Sequence, residues 1–280
     1  MVWPLFGVSL MQNVKNIVAV ASGKGGVGKS TTTVNLALAM AAEGYRVGVL
    51  DADIYGPSMG TMLGVPPGTR PEPVGDKAMK PLIAHGLEVM SIAFLIDETQ
   101  PMVWRGPMAS GALQQLLTQT EWSDLDYLFV DMPPGTGDIQ LTLSQKVPVS
   151  GAVIVTTPQD IALLDARKGI EMFRKVDIPV LGIVENMSVH ICSQCGHTEA
   201  IFGSGGGEEL SQTYDAPLLG QLPLKMSIRE AVDGGVPTLV ADPDGPESAI
   251  YRSTARQVVE ALKALNGAQQ AMPNISINQD

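Results

Sequence analysis

The stretch ASGKGGVGKSTTTVNLALAM constrains this chain more than any other. Gly23-x-x-x-x-Gly28-Lys29-Ser30 is a phosphate-loop pattern. It follows an apolar, β-branched run, NIVAVA (16–21), and opens a helical pattern, Lys29–Glu43, that ends at the C-cap residue Gly44. That context carries the mechanism. Glycines let backbone N–H groups converge on phosphate oxygens, and the helix N-terminus adds partial positive charge. An ordinary glycine-rich turn would not need a lysine and a hydroxyl at the helix start.

Around this loop, short apolar runs alternate with helical patterns. RVGVLD (46–51), LDYLFVD (125–131), GAVIVTTP (151–158) and PVLGIVEN (179–186) are apolar on consecutive positions, as strands buried on both faces are. PLLGQLP (217–223) is a weaker sixth strand. Helices are predicted over 108–118, 161–176, 227–232 and 247–265. The rhythm predicts a single-domain α/β P-loop fold, with a mostly parallel sheet covered by helices on both faces. The expected domain spans residues 15–266, with a cysteine loop near 188–207. Residues 1–14 read as an N-terminal extension and 267–280 as a disordered tail. The proline-rich stretch 64–80 reads as a surface loop, and GSGGG (203–207) as a flexible hinge before a helix starting near Glu208.

The formal net charge is −11, and that field repels nucleic acid and anionic lipid. No run approaches the roughly 18 apolar residues of a membrane span. The N-terminus lacks a basic region and a cleavage site, so it does not read as a signal peptide. With two cysteines in 280 residues, the expectation is a reduced, cytoplasmic protein that contacts neither nucleic acid nor membrane.

The loop residues Gly23, Lys24, Gly25, Gly26, Val27, Gly28, Lys29, Ser30 and Thr31 are candidate contacts for ATP. Lys29 would reach the terminal phosphates and Ser30 would ligate Mg²⁺. Lys24 is either an exposed loop lysine or a cation acting on a nucleotide in a second subunit. Three aspartates stand at strand ends, where an open α/β sheet places its ligand crevice. Asp131 suits a magnesium-holding position, Asp53 could orient the attacking water, and Asp51 could support Mg²⁺ through water. Gly135, in DMPPGTGD, would let a backbone N–H approach the γ-phosphate. The alternative for the aspartates is loop capping. Lys29, Asp53 and Asp131 are the expected catalytic groups of a slow ATPase, joined by Lys24 if it acts in trans.

The whole sulfur supply apart from methionine sits in SVHICSQCGHTE. Cys192 and Cys195 are three apart, flanked by His190 and His197. A redox couple usually opens a helix, and no such pattern follows. Four ligands within eight residues can hardly surround one ion tetrahedrally. A bridging Cys₄ zinc site or an iron–sulfur cluster between two chains both remain, since each wants four thiolates and one chain supplies two.

Taken together, GKGGVGKST, VLDADIYGPS, VWRGPM, VDMPPGTGD, ENMS and the CxxC resemble the Mrp/ApbC iron–sulfur cluster carriers. These are P-loop ATPases grouped with MinD and the nitrogenase iron protein by a deviant Walker A loop. The resemblance spans residues 15–262. It implies that Lys24 crosses a nucleotide-sandwich homodimer, that Asp53 lies in switch I, and that Asp131–Gly135 forms switch II. It implies that Asn186 reads the adenine edge; by sequence alone Asn186 could equally cap a strand end. It selects a 4Fe–4S cluster on Cys192 and Cys195, bridging the dimer, for delivery to apo-proteins. Many relatives carry a small extra N-terminal domain, and 1–14 would be its remnant or follow from a mis-assigned start, with Met11 as the alternative. Two other functions stay open. A positional switch ATPase would need a membrane helix or a basic surface, and no basic residue follows Lys263. A reductase like the nitrogenase iron protein would have its cluster cysteines well separated. Arg105 in VWRGP reads as a structural loop residue, His85 as unremarkable, and Met40, Met172 and Met187 as core or loop residues.

Overall fold

The computed structural model describes residues 13–76, 78–96 and 106–270. Arg105, most of the N-terminal extension and the last ten residues of the expected tail lie outside the described residues.

The consecutive apolar runs form the interior of one eight-stranded sheet. In chain order its strands are β1 (Val14–Ala21), β2 (Val47–Asp51), β5 (Leu82–Ala84), β6 (Leu87–Ser91), β7 (Leu125–Asp131), β8 (Gly151–Thr156), β9 (Val180–Glu185) and β12 (Leu218–Gln221). Two hairpins stand apart from it: β3 (Pro73–Val74) with β4 (Ala78–Met79), and β10 (His190–Ile191) with β11 (Thr198–Glu199). The sheet order is β12-β9-β8-β1-β7-β2-β6-β5. Every pairing in it is parallel except that of the edge strand β5 with β6. Five-residue β2 and six-residue β8 are buried at every position, which is why they show no alternation.

Helices cover both faces. α1 (Lys29–Ala42) packs on α8 (Thr238–Ala241) and α9 (Pro246–Gln270), while α5 (Asp160–Lys175) packs on α6 (Gly206–Tyr214), β8 and β9. The rest are α2 (Met59–Met62), α3 (Gly106–Gln119), α4 (Asp138–Lys146) and α7 (Met226–Asp233). The predicted single sheet covered on both faces is what forms, and α9 continues through Gly267 to Gln270. Met40 and Met172 are buried in the core.

Several elements were not anticipated, among them the sheet strands β5 and β6, the helix α4 and the two hairpins. β6 is five residues with Glu88 at its second position, too short and too mixed to stand out. It is made a strand by β2, with Asp51 registered on Ser91. The GSGGG segment is not simply a hinge. Gly203 and Gly205 take left-handed φ of 92° and 80°, but Gly206 and Gly207 form the buried first turn of α6. A Cβ on Gly206 would stand 2.5 Å from Leu163 Cδ1, and the Gly207 N–H donates to Glu185 Oε2 at 2.6 Å. Small size, as much as flexibility, explains these glycines.

Gly182 in β9 shows the same demand more severely. Its φ is 155°, and an added Cβ would meet the Pro217 carbonyl oxygen at 2.4 Å and Leu219 Cγ at 2.6 Å. Gly169 in α5 has nothing within 4 Å of that position. Gly182→Ala is therefore expected to destabilise the chain by about 2 kcal/mol or more through overpacking. Gly169→Ala should gain about 0.5–1 kcal/mol from reduced unfolded-state entropy. Denaturant midpoints of the two variants, compared with the unsubstituted chain, check this opposite pair of signs.

Candidate nucleotide and metal-binding site

The loop between β1 and α1 sits where the parallel strands end. Gly26 and Gly28 both adopt φ of 81°, a left-handed conformation that side chains resist. Gly23 is required for a different reason: a Cβ there would stand 2.1 Å from the backbone carbonyl group of Asp165 on α5. The loop is therefore pressed against its neighbours. A cavity of about 190 Å³ opens over it, lined by Gly25, Gly26, Ser30 and Thr31, with Met62 and Pro134 on other loops.

Beneath this cavity is a buried ionic cluster. Lys29 and Asp131 are 6% and 0% exposed, and Lys29 Nζ lies 2.7 Å from Asp131 Oδ2. Ser30 Oγ donates to the same oxygen at 2.6 Å, and Thr33 Oγ1 donates to Oδ1 at 2.9 Å. Asp53 is 4.0 Å from Lys29 Nζ. Burial raises the carboxyl of Asp53 above its ordinary range, opposed by Lys29 and reinforced by Asp131. Asp51 is fully buried and pushed up to about 7, first by burial and then by the charge of Asp131. One ammonium thus faces three carboxylates.

Most candidate site residues converge here, each in a definite setting. Asp51 Oδ1 accepts from the Asp53 N–H at 3.1 Å. Its Oδ2 accepts from the N–H groups of Ser58 and Met59 and from Ser91 Oγ. Gly135, at φ 97°, donates its N–H to the Ser22 carbonyl at 2.9 Å, closing the segment after β7 onto the loop. Val27 is buried, and its carbonyl accepts from Asn186 Nδ2 at 2.8 Å. Asn186 therefore braces the loop from behind. Lys24 is half-buried, and its ammonium has no ion-pair partner among the described residues. Thr33, Met62 and Ser91 escaped the sequence reading. Thr33 could have been found from the STTT run, one helical turn from Lys29, whereas Met62 and Ser91 carry no local signal.

The donor set fits the expected ligands. Loop amides and Lys29 suit phosphate oxygens. A hydroxyl beside crowded carboxylates suits a hard divalent cation, whose charge would relieve the excess that raises Asp51.

The cysteines lie at the tip of the β10–β11 hairpin, six residues beyond Asn186. Both are free thiols, with Cys195 exposed. The turn is tied by Cys192 N–H to the His197 carbonyl and by Gly196 N–H to the Cys192 carbonyl, each 2.9 Å. Backbone N–H groups of Cys195 and then Gln194 turn on the Cys192 sulfur and hold its thiol below the ordinary range. That environment favours the thiolate, the form that binds metals. His190 Nδ1 is engaged with the Leu224 carbonyl at 3.2 Å. Among the described residues no three His, Cys, Asp or Glu side chains are placed to hold a metal ion.

Comparison with known proteins agrees with this geometry. The chain is 69% identical over 245 residues to a protein of Pseudomonas fragi named iron-sulfur cluster carrier protein, covering 88% of this chain and 85% of that one. A solved nucleotide-binding protein of Archaeoglobus fulgidus, in complex with ADP, superposes with a TM-score of 0.74 at 36% identity, covering 87% of this chain and 94% of that one. The cell division ATPase MinD of Pyrococcus furiosus superposes at 0.66 with 22% identity, covering 88% and 99%, a likeness of fold alone. Residues 13–259 match the ParA family described as NUBPL iron-transfer P-loop NTPase. With its phosphate loop, its strand-end carboxylates and its paired cysteines in place, the chain belongs to this family of iron–sulfur cluster carrier P-loop NTPases.

Proposed function

We propose that the chain is an ATP-dependent iron–sulfur cluster carrier: it binds and slowly hydrolyses MgATP, holds a 4Fe–4S cluster between two copies of itself, and passes that cluster to apo-proteins. The observation that carries this reading is the joining of two incomplete sites. The phosphate loop carries Lys24 with no ion-pair partner among the described residues, in addition to Lys29, and the hairpin offers two thiols where a cluster wants four. Asn186 links them, anchored to the phosphate loop and opening the segment that runs to Cys192.

In this reading the amides of Gly23–Thr31 hold the α- and β-phosphates, and Lys29 exchanges Asp131 for the terminal phosphates. Ser30 and Asp131, with Asp51 through water, would hold Mg²⁺, which neutralises charge on the phosphate oxygens. Asp53, beside Lys29, orients the attacking water, and its raised carboxyl suits a group that takes up a proton. Lys24 reaches the phosphates of the second subunit, as an arginine finger does. Gly135 exchanges the Ser22 carbonyl for the γ-phosphate, and Asn186 reads the edge of the adenine base. The cluster is cargo. Cys192 and Cys195 of each chain hold one edge of it, and the exposed hairpin leaves it open to an acceptor.

The alternatives receive less support. Among the described residues no helix is long and apolar enough to cross a membrane, and the acidic charge disfavours DNA. A reductase would ask for distant cysteines, whereas these share one turn. The free thiols suit a cytoplasmic location, and we read 15–266 as the ATPase domain with its cysteine hairpin.

Lys29→Ala should abolish nearly all ATP turnover. The change also leaves Asp131 buried without its ammonium, so the unfolding midpoint is measured alongside. Wild-type turnover in the folded variant would refute the assignment. Anaerobic reconstitution with iron and sulfide should load about four irons per dimer, with the absorption of a 4Fe–4S centre. Either Cys192→Ala or Cys195→Ala should remove stable loading. One zinc ion per dimer with no iron uptake would leave a structural Cys₄ clasp instead.

A further inference from the structure

We infer that Ser91 is a positioning residue for ATP hydrolysis, acting through Asp51 on the loop that carries Asp53. The inference rests on the hydrolytic reading above. Ser91 ends β6, directly beside Asp51 at the end of β2. It is fully buried, and its hydroxyl is used twice: it donates to Asp51 Oδ2 at 3.0 Å and accepts from the Ala93 N–H at 3.2 Å.

Asp51 is the knot to which the switch loop is tied. The Asp53 N–H binds one carboxylate oxygen at 3.1 Å, and the N–H groups of Ser58 and Met59 bind the other at 3.0 and 3.2 Å. A single side chain therefore holds both ends of the segment 53–59. Ser91 fixes that side chain from the neighbouring strand, outside the loop itself. The residues after Ser91 add an apolar prop. Phe94 presses on Gly60, where a Cβ would lie 2.9 Å from Phe94 Cε1. Gly60 sits in α2, whose Met62 lines the nucleotide cavity. Segment 91–94 thus supports the switch loop by a hydrogen bond at one point and by packing at another.

Without the Ser91 hydroxyl, Oδ2 keeps only two amide donors on a fully buried carboxylate. The loop should open more often, and Asp53 should spend less time in its working place. Removing a buried hydrogen bond and leaving its partner unsatisfied supports an effect of about tenfold.

Hydrogen exchange of the full chain without nucleotide tests this in Ser91→Ala, together with turnover of MgATP and the dissociation constant for MgADP. The amides of Asp53, Ser58 and Met59 should exchange about tenfold faster, with α9 unchanged. Turnover should fall by a similar factor while MgADP affinity stays within twofold. Ser91→Cys, which keeps a weaker donor, should fall between. Unchanged exchange at those amides would overturn the inference. So would acceleration that extends equally to α9, or faster loop exchange with full turnover. Absence of hydrolysis in the unsubstituted chain would strike the hydrolytic reading instead, and the exchange result stands apart from that.

Discussion

The contact between Lys29 and Asp131 organises this molecule. It joins the start of α1 to the end of β7 at 2.7 Å, with both side chains out of water. A buried pair of this kind is weak evidence for stability, because desolvation offsets much of the attraction. Its value lies in placement. Ser30 and Thr33 add their hydroxyls to the same carboxylate, so one aspartate receives three side chains from the first turns of α1. The helix N-terminus, the phosphate loop and the strand end are thereby held as one unit.

From that unit the remaining geometry follows outward. Asp51 lies beside Asp131 across β2 and β7, so the two carboxylates crowd each other. Asp51 is held by donors from the switch loop and from β6. On the other side, Asn186 reaches back from the end of β9 to the Val27 carbonyl, and the chain then runs to the cysteine hairpin. Glu185, one residue earlier, holds the start of α6 and the Gln221 side chain. Strand ends thus anchor the phosphate loop, the carboxylates and the segment that leads to the cysteine hairpin.

Much of this was legible in the sequence because it rests on local patterns. Consecutive apolar residues betray strands covered on both faces, and the phosphate loop fixes its own spacing. The strand-end aspartates could be named because a parallel sheet puts its ligands there. Ser91, Thr33 and Met62 could not be weighed in the same way. Ser91 matters only because β6 pairs with β2, a contact between residues forty apart. The glycines at 206 and 207 looked like a hinge because composition reports freedom and not crowding, and only Leu163 and Glu185 reveal why they are small. Asn186 is tied to the adenine edge by resemblance alone, and its grip on the Val27 carbonyl carries no signal in the sequence.

In the proposed function, a second copy of the chain completes the site. Mixing Lys24→Ala chains with Asp53→Ala chains tests it directly. Neither variant alone retains a full set of residues, but a mixed dimer has one composite site with Lys24 from one chain and Asp53 from the other. With free exchange, equal mixing should return roughly a quarter of wild-type turnover, since half the dimers are mixed and each has one working site of two. A mixture as inactive as its parents, with subunit exchange demonstrated by mass-tagged chains, would show that Lys24 does not act across a dimer.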